Sequence, residues 1–279
     1  MMKILPNTYE GLIWGMKNFD GIETDLRLTL DDGVVIFHDC YLQTGEKIEE
    51  LTEKELEDKG IPTLRKFLDL EEVVKLSKDK IMFLELKPNC RGKKRITKEI
   101  SEKFYERVNQ IILESNISKN NIKILSFSKQ MLKPFMDEYK CYPILPDVNE
   151  CNNSFVTLKA VPQFLGKSIK NEIVNGKKIG YAGIMFARQY VMGWSKYRHP
   201  SYEKMVNLGK EFEIDLGTNL GTPQLEESFS KFYRFSDILS DYPRNAKEGD
   251  GPIIAHRGTG TKGVEIPKEE YDNLITFAK

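Results

Sequence analysis

Residues 20–39 read DGIETDLRLTLDDGVVIFHD, and this stretch decides the fold. Gly21–Thr29 is an apolar run broken by Glu23 and Asp25; Asp31-Asp32-Gly33 is a hairpin signal; Val34–His38 is a second strand, ending in His38-Asp39. Side chains two apart on a strand share a face, so Glu23 and Asp25 converge. Two carboxylates on an otherwise buried strand are costly unless a cation or a basic group holds them. A partly exposed edge strand with solvated acids would carry the same pair. His38 is one of only three histidines, with His199 and His256, and an imidazole can exchange a proton near neutrality.

Outward from that hairpin, short apolar runs alternate with longer amphipathic ones. Ile81–Leu86, Ile122–Ser126, Tyr142–Leu145, Ala182–Phe186, Phe212–Leu216, Ser236–Ser240 and Ile253–Ala255 read as buried parallel strands. Helical spacing fills Thr8–Lys17, Thr63–Leu76, Thr97–Glu114, Lys129–Tyr139, Ser201–Lys210, Pro223–Arg234 and Pro267–Ala278. Asn149–Lys178 is the least regular region and reads as a loop insertion with a short helix. About eight strand–helix units predict an α/β chain with a closed TIM (β/α)8 barrel, the hairpin being an excursion at its mouth. Nothing marks an internal boundary, so residues 1–279 are expected to form one domain.

Composition narrows the function. Lys+Arg and Asp+Glu are both 42, which gives no clustered positive charge for nucleic acid and no pull toward an anionic membrane. No apolar run reaches the roughly 18 residues of a membrane span, and the first residues lack a secretory pattern. Cys40, Cys90, Cys141 and Cys151 show no C-x-x-C spacing and read as reduced thiols, which predicts a cytoplasmic protein.

Two further clusters carry chemistry. Glu85 and Lys87 share a face where Ile81–Leu86 ends, either as an internal ion pair or as a third carboxylate beside a phosphate-binding lysine. Ile253–Gly260 is an apolar strand running into His256-Arg257-Gly258, an imidazole, a phosphate-matching guanidinium and a glycine that permits close approach. Three carboxylates without thiolates suit a hard divalent cation, Mg²⁺ or Ca²⁺.

Together these segments resemble the glycerophosphodiester phosphodiesterase family. Its pattern opens with H-R-G and P-E-N-T, then E-x-D, a D-G hairpin ending in H-D, a strand ending E-x-K and a last strand ending T-D-Y-P. Here Glu23-Thr24-Asp25, Asp31-Asp32-Gly33, His38-Asp39, Glu85-Leu86-Lys87 and Ser240-Asp241-Tyr242-Pro243 match in order. The H-R-G segment comes last instead of first, and Pro6-Asn7-Thr8 looks like a shortened P-E-N-T. That order predicts a circularly permuted barrel whose first strand is residues 253–258, supplied to its own chain or swapped to the second copy of a homodimer. The resemblance implies hydrolysis of a small glycerophosphodiester to glycerol 3-phosphate and an alcohol. Glu23, Asp25 and Glu85 would bind the cation, Arg257 and Lys87 the phosphate, and His256 and His38 would serve as base and acid. A silent barrel that binds a phosphorylated ligand, and a lyase releasing a cyclic phosphate, are the competing expectations. Phe212–Asn219 lacks the family's usual tryptophan, and the basic, aromatic stretch from Ala187 to His199 is read as loop packing outside the catalytic set.

Overall fold

The structure, a computed structural model, describes residues 1–88, 96–145, 169–187, 202–220, 237–240 and 252–278. In chain order its elements are β1 (Met2–Ile4), α1 (Tyr9–Asn18), β2 (Gly21–Leu28), β3 (Val34–Ile36), α2 (Glu53–Asp58), α3 (Leu64–Asp69), α4 (Glu71–Leu76) and β4 (Ile81–Leu86). There follow α5 (Lys98–Glu114), β5 (Ile122–Ser126), α6 (Lys129–Leu132), β6 (Lys140–Leu145), α7 (Ile169–Ile179) and β7 (Gly183–Ala187). The chain closes with α8 (Tyr202–Glu211), β8 (Asp215–Leu220), β9 (Asp237–Ser240), β10 (Ile253–Ala255), β11 (Val264–Ile266) and α9 (Lys268–Phe277).

Strands β2, β4, β5, β6, β7, β8, β9 and β10 are neighbours in that order and parallel throughout, and β10 returns to pair with β2. The pairing ring is complete: a TIM barrel. Ile254 lies opposite Gly21 on one side and Leu239 on the other, so the strand from the far end of the sequence fills the place between β9 and β2. It does so within its own chain. β3 doubles back antiparallel on the upper half of β2, with Leu26 opposite Ile36 and Asp32 taking the left-handed turn conformation at φ 64.

Sequence explains these elements locally. β2 is buried at every position, and its inward row is the charged one, Glu23 and Asp25. Below them Phe83, Leu125, Tyr142, Ile144, Met185, Leu239 and Ile254 fill the barrel, a packed plug rather than a channel. Outside the barrel, α5 starts at the Thr97 cap and buries Phe104, Val108, Ile111 and Ile112 at helical spacing. Helix α1 is capped by Thr8, whose hydroxyl accepts from the Gly11 N–H, and α9 docks beside it through a 2.8 Å bond from Trp14 Nε1 to Glu270.

Several expectations need correction. Thr63–Leu76 is two helices, because Leu70 is extended at φ −64, ψ 127. Lys129–Tyr139 stays α-helical only to Leu132, since Pro134 has no N–H to continue the ladder and the chain tightens to a 3₁₀ turn. The strand read as Phe212–Leu216 is Asp215–Leu220: Glu213 sits at φ 50 and the Ile214 N–H bonds back to Gly209 O, so the first apolar residues finish α8 instead. Within Asn149–Lys178, the described part belongs to the regular helix α7. Pro223–Arg234 and His199 lie outside the described residues. The ribbon of β1 on β11 was not anticipated.

Cys141 is free and buried, but Cys40 is disulfide-bonded. The reading of four reduced thiols fails there, and the cysteines no longer argue for a cytoplasmic location. No helix among the described residues is long and apolar enough to cross a membrane.

Candidate active site

The register of the barrel brings the acids together. Asp25 on β2 lies opposite Glu85 on β4, and Glu23 is two residues lower on the same inward row. One carboxylate oxygen of each falls within 4.8 Å of the others, and all three residues are buried. Such a trio repels itself unless compensated. Compensation comes from two fixed cations. Lys87, just past the end of β4, places Nζ 2.9 Å from Asp25 Oδ1 and 2.5 Å from Glu85 Oε1. Arg257, just past β10, places Nε 3.1 Å from Asp25 Oδ2 and donates its backbone N–H to Glu23 Oε2.

His256 enters from the same turn, with Nε2 3.5 Å from Glu23 Oε2. That turn is tight: Arg257 is left-handed at φ 52 and Gly258 at φ 79. A Cβ on Gly258 would stand 2.5 Å from Gly11 O, and one on Gly15 would stand 2.5 Å from Gly258 O. The glycines of α1 and of the turn thus let the helix backbone lie directly against the segment that carries the imidazole. His38 comes from the other side, beyond β3, where Asp39 accepts from Nδ1 at 2.7 Å.

Electrostatics divides the carboxylates. Burial first, then Asp25, pushes Glu23 up to about 8. For Asp25 burial works upward, but Lys87 and Arg257 outweigh it and hold the carboxyl well below its usual range. Burial opposes the Lys87 charge, yet Glu85 and Asp25 keep the ammonium above its ordinary value. His38 is lowered by burial, which Asp25 partly offsets. Among the described residues Glu23 Oε1 is buried without a hydrogen-bond partner, and Asp25 Oδ1, likewise without a hydrogen bond, has the Lys87 ammonium at 2.9 Å as an ion-pair partner. A buried, unpartnered Glu23 Oε1 in an all-oxygen trio fits a hard divalent cation.

Six of the seven predicted residues, Glu23, Asp25, Glu85, Lys87, His256 and Arg257, therefore meet in one cluster. His38 is joined to it electrostatically through Asp25. Sequence reasoning gave no role to Asn7, whose carboxamide donates to Asp25 Oδ2 at 2.8 Å and accepts from Thr24 Oγ1 at 3.0 Å. Nor did it single out Arg27, although a charged residue continuing the inward row of Glu23 and Asp25 was a visible signal.

A parallel eight-stranded barrel with buried carboxylates, cations and an imidazole where its strands end makes a TIM barrel with a candidate catalytic site. The model of the glycerophosphoryl diester phosphodiesterase family matches residues 6–175, and the chain belongs to that family. No curated protein sequence matches it. Among solved structures it resembles a glycerophosphodiester phosphodiesterase from Thermotoga maritima, at TM-score 0.57, 19% identity, and coverage of 91% of this chain and 89% of that one. One from Parabacteroides distasonis gives TM-score 0.52 and 17% identity, covering 93% and 85%. An Oleispira antarctica phosphodiesterase, in complex with the product sn-glycerol-3-phosphate, gives 0.55 and 14%, covering 98% and 95%.

Proposed function

We propose that the chain hydrolyses small glycerophosphodiesters to glycerol 3-phosphate and an alcohol, with Glu23, Asp25 and Glu85 as ligands of one Mg²⁺ or Ca²⁺ ion. The observation that carries this reading is the buried acidic trio with an unpartnered Glu23 oxygen, edged by fixed cations and an imidazole. When bound, a divalent cation supplies charge withdrawal from a phosphate oxygen. Arg257 and Lys87 neutralise the remaining oxygens, the guanidinium as a planar fork and the ammonium as a point charge. His256 takes a proton from the attacking water, whose oxygen bonds to phosphorus as the bond to the alcohol oxygen breaks. His38, its Nδ1–H held by Asp39, gives one from Nε2 to the leaving oxygen; such acid–base help is worth roughly 10²–10⁴ in rate. The product held by the Oleispira neighbour supports glycerol 3-phosphate as the retained half.

We read residues 1–279 as one domain and the late H-R-G strand as a circular permutation of the family order. The family match beginning at residue 6 and the seat of β10 between β9 and β2 support that reading.

Glycerophosphocholine supplied with Mg²⁺ or Ca²⁺ should yield glycerol 3-phosphate, and a chelator or His38→Ala should abolish the yield. No turnover across a broad phosphodiester panel overturns the proposal, and a cyclic phosphate in the phosphorus NMR spectrum assigns the lyase outcome instead.

A further inference from the structure

Lys87 and Arg257 face the carboxylates, but a third cation stands at the barrel mouth without a part in the reaction above. Arg27 follows Glu23 and Asp25 on the inward row of β2 and is 7% exposed. Its guanidinium reaches sideways. Nε and Nη2 donate to the His38 carbonyl oxygen at 3.0 and 2.5 Å, and Nη1 donates to Pro88 O at 3.0 Å.

Among the described residues little else fixes His38. Its side chain is 39% exposed, and Asp39, which holds Nδ1, is 73% exposed. Packing therefore constrains the imidazole weakly, and its place depends on where the backbone of residue 38 is held. One strand bond anchors the preceding residue, from the Phe37 N–H to Asp25 O at 2.9 Å. Pro88 is the residue after Lys87. The same planar group thus ties the loop carrying His38 to the strand end carrying the phosphate-binding lysine.

We infer that Arg27 is the positioning residue of His38, a clamp that sets the imidazole against Lys87 by gripping the two main-chain carbonyls. The inference rests on the proposed hydrolysis for its kinetic consequence, though not for its geometry. A guanidinium presents donors in a rigid fork and meets two acceptors at a set angle; an ammonium carries the same charge but keeps no such angle. Charge without the fork is therefore insufficient.

Arg27→Lys and Arg27→Met separate the effects. In both, kcat should fall about 30- to 100-fold, the cost expected of an ångström-scale misplacement. KM and the cation dissociation constant should stay within about threefold, because Glu23, Asp25, Glu85, Lys87 and Arg257 are untouched. With only three histidines in the chain, imidazole NMR gives a readout independent of turnover. The His38 resonances should shift and broaden while those of His256 remain in place, in the cation-free protein as well. Wild-type kcat in Arg27→Lys shows that charge suffices and overturns the clamp. Collapse of cation affinity, or equal disturbance of both histidines, reduces Arg27 to general support and also overturns it. If the wild-type protein releases no product, the hydrolysis proposal fails, and unmoved His38 resonances still decide against the clamp.

Discussion

Cation binding should tighten steeply as pH rises from 6 to 8, and Glu23 is the reason. In the cation-free protein burial and the neighbouring Asp25 push its pKa up to about 8. A cation needs the ionised form, so each encounter below that pH must displace a proton. At pH 8 about half of the molecules have Glu23 ionised, and at pH 6 about one in a hundred, so the apparent dissociation constant should fall about fifty-fold across the window. Titration calorimetry with Mg²⁺ or Ca²⁺, in buffers of different ionisation enthalpy, reads both affinity and proton release; near pH 7 about 0.9 proton should leave per cation bound. Glu23→Gln should bind weakly throughout and lose the slope. Stability runs the opposite way. The folded pKa lies above the unfolded one near 4.5, so the contribution is fully present below 4.5 and is lost as pH rises through about 8. The cation-free protein should therefore melt lower at pH 8.5 than at pH 6, with added cation reversing the trend. A pH-independent affinity in the wild type, or a slope that survives in Glu23→Gln, would refute the reasoning.

Other substitutions test the frame around the site. Gly258→Ala puts a side chain at φ 79 and 2.5 Å from Gly11 O, which should cost about 2–3 kcal/mol in denaturant unfolding and lower kcat by moving His256. Lys87→Met strands the carboxylates of Asp25 and Glu85, so the cation-free protein should lose about 3–5 kcal/mol, with divalent cation restoring much of it in a thermal melt. Deleting residues 252–279 leaves β2 and β9 with open edges and strips Glu270 from Trp14. The product should aggregate, and any soluble fraction should show red-shifted tryptophan emission.

Much of this was legible in the order of residues. Period-two placement of Glu23 and Asp25 and the run of apolar strands are local patterns, and the barrel follows from them. The H-R-G segment, three residues and weak by itself, was legible only through its likeness to the motif that opens the family pattern. What stayed hidden depends on partners distant in sequence. β1 forms only because β11 lies beside it, and Asn7 gains its role from Asp25, which the sequence alone does not place next to it. The three-residue error at β8 has another cause: Phe212 and Ile214 are as apolar as strand residues, and backbone bonds to Leu208 and Gly209 recruit them to end a helix. Cys40 shows the limit of spacing rules, because a disulfide outside a C-x-x-C pair leaves no mark in the neighbouring sequence.

The late position of β10 also bears on how the molecule is made. The turn that follows it bonds to β2 across 234 positions, from the Arg257 N–H to Glu23. At 5–20 residues per second, a ribosome that has just finished β2 needs about 10–45 s to reach the strand that will lie beside it. Through that interval the lower rim of β2 waits uncovered, while β3 already shields the upper half against Leu26–Leu28. A chain released midway carries its acidic trio in an unsealed sheet, so translation must pass Ala255 before the vessel can close.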